Sequence, residues 1–171
     1  AIDRGQASGR VLKYASINEL EASDDRERLK TGFRDLDEVL GGGILKGSVL
    51  LLAGQPGIGK STLLMQICAT IANLGKNVLY ISGEESAGQV KLRAMRLGAA
   101  SDSLKFASSN SANDIARTIS DGEFDLVIVD SIQTLTLAEI TSAPGGVSQV
   151  TNCGNLLIRS AKVSDTAVVI V

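Results

Sequence analysis

The chain has 171 residues, 44% apolar and 21% charged, with a formal net charge of −2 and a sequence pI near 5.2. That length predicts one core burying roughly two thirds of the extended-chain surface, and the charge balance excludes the bulk basic character of a dedicated nucleic-acid binder. With no His, no Trp and 3% aromatic residues, histidine acid–base chemistry, most catalytic zinc sites and an aromatic stacking platform for bases are excluded as well.

Residues 1 to 28 are polar and charge-rich, with YASINEL as their compact apolar patch. They read as a linker with a short helix near Ile17 to Glu21, leading into a domain over residues 29–171. The start lacks Met and the last residues stop inside an apolar run, so a fragment truncated on its C-terminal side is expected. No run approaches the roughly 18 apolar residues of a membrane span and AIDRGQASGR has no signal-peptide core, which leads to the expectation of a cytoplasmic protein with no membrane partner. Cys68 and Cys153 fit no metal-ligand spacing and read as small buried hydrophobes.

From Arg28 to Ile44 the apolar residues Phe33, Leu36, Val39 and Leu40 predict a helical turn. Gly41 to Gly43 close it, either as a helix C-cap or as backbone packed beside a ligand. SVLLLAG (48–54) is an apolar run without alternation, the pattern of a strand covered on both faces. It enters GQPGIGKST, after which Leu64, Ile67, Cys68 and Ile71 recur at helical spacing up to Gly75. NVLYIS (77–82) predicts a second buried strand, followed by GEES and a helix from Gly88 to Leu97 ended by Gly98. LKFA (104–107) predicts a short strand and Asn113 to Ser120 a helix. FDLVIVD (124–130) predicts a strand with an acidic tip, TSAPGGVSQV (141–150) lies in a long loop, Val147 to Val163 predicts a helix, and TAVVIV (166–171) a last strand. Strands alternating with helices imply a doubly wound, mainly parallel α/β sheet, which binds ligands at the carboxyl ends of its strands.

The polar motifs sit at those ends. Gly54, Gly59, Lys60 and Ser61 complete G-x-x-x-x-G-K-[ST] between a strand and a helix, so the whole loop Gly54, Gln55, Pro56, Gly57, Ile58, Gly59, Lys60, Ser61 and Thr62 is the candidate phosphate cradle of a P-loop NTPase. Its backbone N–H groups and helix N-terminus suit phosphate, Lys60 suits the β and γ phosphates, Ser61 suits Mg²⁺, and Thr62 faces the α-phosphate. Asp130 is the second metal anchor. Without histidine, a residue orienting water for hydrolysis must come from Glu84 or Glu85, and spacing does not choose between them. Lys91, Arg93 and Arg96 read as the solvated face of a helix.

In combination, TGFRDLDEVLGGGILKGS, GQPGIGKSTLLMQ, YISGEES, RLG, VIVDSIQTL and SAPGGVSQV resemble the RecA-like ATPases, and within them the bacterial RadA (Sms) family of DNA repair and recombination proteins, over residues 12 to 171. The resemblance implies ATP and Mg²⁺ as cofactors, Lys60 and Ser61 at Walker A, Asp130 at Walker B, and Glu84 rather than Glu85 as the catalytic glutamate. It also implies that the loop from about Leu137 to Gln149 faces single-stranded DNA, and that the complete protein is a hexameric ring acting on recombination intermediates by branch migration, in the manner of a helicase. The family's four-cysteine zinc finger, second DNA loop, KNRFG motif and Lon-like domain are not in this chain, and Asn152 to Gly154 stands where the family pattern leads one to expect charge. Two other readings remain open: a KaiC-like regulatory ATPase or kinase, which shares GGGI, the P-loop and the E-E-S element, and a nucleotide-binding oligomerisation module with little turnover alone.

Overall fold

A computed structural model of the chain describes residues 9–22, 26–55 and 59–171. Its centre is a five-stranded, wholly parallel sheet of β3 (Val49–Leu51), β4 (Val78–Ser82), β5 (Leu104–Ser108), β6 (Leu126–Asp130) and β7 (Ala167–Ile170), in the spatial order β3-β7-β6-β4-β5. Crossovers run through α2 (Lys60–Asn73), α3 (Ala87–Arg96), α4 (Ala112–Ser120) and α5 (Val147–Ser164), the arrangement that alternating strands and helices predict.

The β4, β6 and β7 sequences are nearly continuous apolar runs because both faces of these strands are covered. Val78, Tyr80, Leu126, Ile128, Ala167 and Val169 pack against Leu64, Met65, Cys68 and Ile71 of α2 and Val90 and Ala94 of α3. The alternate residues Leu79, Ile81, Val127, Val129, Val168 and Ile170 pack against Ile115 and Ile119 of α4 and Cys153, Leu157 and Ala161 of α5. Two of these helices open on side-chain caps: Ser86 accepts from the Gln89 N–H at the start of α3, and Ser111 accepts from the Asp114 N–H at the start of α4.

Both cysteines lie within these layers, unpaired and buried. Burial pushes the Cys68 thiol up to about 12 and raises that of Cys153. A thiol-reactive dye at pH 8 is therefore expected to label neither in the folded protein and both after denaturation. Rapid labelling of folded protein would show that the packing around α2 or α5 opens readily.

The differences from expectation have local causes. The strand predicted over residues 48–54 is limited to Val49–Leu51, since the chain leaves the sheet after the Leu52 N–H donates to Ile170 O at 2.8 Å. It is also an edge strand, so Leu51 is 63% exposed rather than covered. The first predicted helix is a single 3₁₀ turn, Ile17–Glu19; Ile17 is 82% exposed and supplies no packing to extend it. Gly41 to Gly43 turn α1 (Arg34–Val39) into β2 (Ile44–Leu45), which pairs antiparallel with β1 (Arg28–Leu29). The three glycines are therefore a helix end and turn, and none lines the cleft described next.

Candidate nucleotide-binding site

At the carboxyl ends of the parallel strands a cleft of about 990 Å³ is lined by Gly54, Gly59, Lys60, Ser61, Thr62 and Asp130. Gly59 is the N-cap of α2 and has φ 88°, a left-handed conformation that favours glycine. It offers no capping side chain, and the first turn of α2 holds no acidic residue. Among the described residues no side chain accepts from the opening N–H groups of this helix of 14 residues, and its first residues, Lys60, Ser61 and Thr62, line the cleft at the positive end of the helix dipole. The Lys60 ammonium donates to Gly54 O at 2.7 Å across the mouth of the loop. Gln55 is exposed and does not line the cleft, and Pro56, Gly57 and Ile58 lie outside the described residues.

The donors from Gly59 to Thr62 are therefore one ammonium, two hydroxyls and a helix start without a side-chain cap, which fits a polyphosphate. Among the described residues no three acidic or cysteine side chains come close enough to hold a metal by themselves. A divalent cation here would rely on the Ser61 hydroxyl, Asp130 and phosphate oxygens, the usual way Mg²⁺ is held beside a nucleotide.

Asp130 ends β6, where its register partner on β4 is Ser82. GEES begins one residue later, which brings Glu84 and Glu85 to the strand end next to Asp130. Close approach fixes Gly83: a Cβ there would collide with the Asn110 carboxamide and the Thr134 hydroxyl. Glu85 is paired with Arg93, which grips both its oxygens, Nη2 to Oε1 at 3.0 Å. Glu84 is exposed and its carboxylate makes no hydrogen bond to a described residue. It does not line the cleft directly.

A family profile described as AAA domain matches residues 15–171. The chain belongs to that AAA domain family. Among curated proteins this AAA domain is similar to the DNA repair protein RadA of Brucella abortus, 45% identical over 95% of this chain and 36% of the relative. It is also similar to RadA of Bacillus subtilis, 46% identical over 94% of this chain and 35% of the relative. RadA of Pseudomonas aeruginosa is 42% identical over 98% of this chain and 37% of the relative. The chain spans little more than a third of the length of these relatives. The similarity read from GEES, VDSIQ and SAPGGVSQV is borne out, and the five-stranded parallel sheet is the RecA-like α/β fold it implied.

The AAA domain also uses residues that local patterns do not mark. Ile132, Gln133, Gly145, Val147, Val150 and Thr151 form the cleft wall opposite the phosphate loop, so the long loop after β6 and the start of α5 border the same space as Lys60. That loop is organised by Gln149, which is 1% exposed. Its Oε1 accepts from the Leu137 N–H at 3.1 Å, and its Nε2 donates to Ile140 O at 3.1 Å and Ser142 O at 2.8 Å. Arg93 is no solvated charge but half-buried between Glu85 and Tyr80. A glutamine in SAPGGVSQV and an arginine on a helix carry no local sign of either role.

Proposed function

We propose that the domain binds Mg²⁺-ATP and hydrolyses it as the motor core of a DNA repair protein, coupling turnover to single-stranded DNA. The observation that carries this reading is the single cleft in which Lys60, Ser61, Thr62 and the uncapped start of α2 stand opposite Asp130. Lys60 then leaves Gly54 O to bind the β and γ phosphates, the opening N–H groups of α2 hold the phosphate chain, and Ser61 and Asp130 hold the cation. A bound Mg²⁺ would neutralise phosphate charge and leave the terminal phosphorus open to attack.

Glu84 is the group that orients the attacking water, moving into the cleft when nucleotide is bound. Its free carboxylate supports this role, whereas Glu85 is committed to Arg93. The link to DNA is supported by the loop between Leu137 and Gln149, whose Gly145 and Val147 border the cleft beside Val150 and Thr151. With no Lys or Arg from Ser131 to Ile158, the loop would hold DNA through hydroxyl and backbone groups, and cationic contacts would come from elsewhere in a ring of six subunits. Branch migration of recombination intermediates in the cytoplasm is the proposed task, in keeping with relatives named as DNA repair proteins. No helix among the described residues is long and apolar enough to cross a membrane.

ATP hydrolysis by the full-length protein, measured with and without single-stranded DNA, tests the reading. Turnover is expected to require Mg²⁺ and to rise several-fold with DNA. Mg²⁺-dependent turnover that ignores DNA would favour a regulatory ATPase, and nucleotide binding without turnover a binding module.

A further inference from the structure

Asp130 is held by a chain of side chains that nothing in the nucleotide motifs requires. The Tyr80 hydroxyl donates to Asp130 Oδ2 at 2.7 Å. Arg93 Nη2 donates to the same hydroxyl oxygen at 3.2 Å, with the guanidinium carbon 5.7 Å from the centre of the Tyr80 ring. The other side of Arg93 is closed by its two-pronged pair with Glu85. Register explains the meeting: Tyr80 lies opposite Ile128, and Asp130 is two residues further on β6, on the same face and diagonal to Tyr80.

The direction of the chain is fixed by chemistry. Arginine can only donate, so the phenol oxygen must accept from it, and the one phenolic proton is left for Asp130. A phenol whose oxygen is drawn toward a guanidinium is a stronger donor than a free one. Asp130 Oδ1 accepts no hydrogen bond from a described residue, while Asp130 lines the cleft. One carboxylate oxygen is therefore taken and the other is left for the cation. Arg93 Nε is the one buried side-chain polar atom without a partner among the described residues.

We propose that Tyr80, Arg93 and Glu85 act together as the positioning unit of the metal-binding carboxylate: Tyr80 turns Asp130 so that one oxygen faces the cation, Arg93 orients and polarises the phenol, and Glu85 neutralises Arg93 so that it does not itself capture Asp130. This rests on Asp130 as a cation anchor of the ATPase, and it gives the two adjacent glutamates separate duties.

The test is the Mg²⁺ concentration for half-maximal ATPase in the full-length protein, read beside ATP binding in EDTA and the melting temperature. Tyr80→Phe keeps the buried ring and removes only the donor. It is expected to raise the half-saturating Mg²⁺ by about five- to tenfold, with ATP binding in EDTA unchanged, a split that a merely structural role would not produce. Glu85→Gln is expected to raise it at least as far, because the released guanidinium competes for Asp130. Asp130→Asn is run in parallel. If it raises the Mg²⁺ requirement and folded Tyr80→Phe does not, the positioning proposal falls while the cation site stands; if neither variant changes it, the reading of Asp130 falls and takes the proposal with it.

Discussion

Lys60→Ala and Glu84→Gln are expected to abolish ATP turnover by different routes. Lys60 is the single cation among the described residues lining the cleft, and its ammonium sits 2.7 Å from Gly54 O. Removing it deprives the phosphate site of its charge, so ATP affinity should fall tenfold or more, about 1.4 kcal/mol for each factor of ten, and turnover should drop to background. Glu84→Gln keeps size and leaves phosphate and metal contacts alone, so nucleotide affinity should hold while turnover falls by roughly 10²- to 10⁴-fold, the range of a lost general base. Glu85→Gln is the control that separates the two carboxylates. At saturating Mg²⁺ it should keep turnover within about tenfold of the parent, far above a lost general base, because its partner is Arg93 rather than water. Fluorescent-nucleotide binding and steady-state phosphate release on the three variants distinguish the cases. Glu84→Gln with normal turnover would remove Glu84 from the chemistry, and a collapse in Glu85→Gln alone would transfer the role.

The sheet strands and the strand-to-helix junction at residues 52–60 were legible because their signals are local. LVIVD must be covered on both faces whichever strands flank it, and GQPGIGKST has to join a strand to a helix for its amides to converge. The order of the strands was not legible. That β3 lies at the edge, with Leu51 uncovered, follows from β7 inserting between β3 and β6, and no residue of SVLLLAG encodes its neighbours. The two-residue pairing of β1 with β2 was invisible for another reason: a strand that short has no periodicity, and its partners are 15 residues apart at Leu29 and Ile44. Arg93 shows the same limit at the site. Its place on the helix suggests solvent, and only the packing of α3 on β4 brings it to Tyr80, 13 residues earlier, and through Tyr80 to Asp130, 50 residues after that.

Gln149 is where such a long-range contact has the largest consequence for coupling. One buried carboxamide serves three backbone groups of the loop, an N–H at Leu137 and carbonyls at Ile140 and Ser142. It thereby ties the loop to α5, whose first turns carry Val147, Val150 and Thr151 into the lining of the cleft that Lys60 shares. Gln149→Ala should cost about 2–4 kcal/mol, since three partners lose their bond and whatever water cannot reach stays unpaired. Gln149→Glu should be worse although it is nearly isosteric: a carboxylate can still accept from Leu137 but has no N–H for the two carbonyls and repels them. If the loop transmits the state of the cleft to DNA, both variants should lose DNA stimulation of ATPase more than unstimulated turnover, and protease cleavage between Leu137 and Ser148 should quicken. Undiminished DNA stimulation in a variant whose loop is cleaved faster would show that the loop is ordered by Gln149 for stability alone, and the DNA contact would then have to lie elsewhere in the protein.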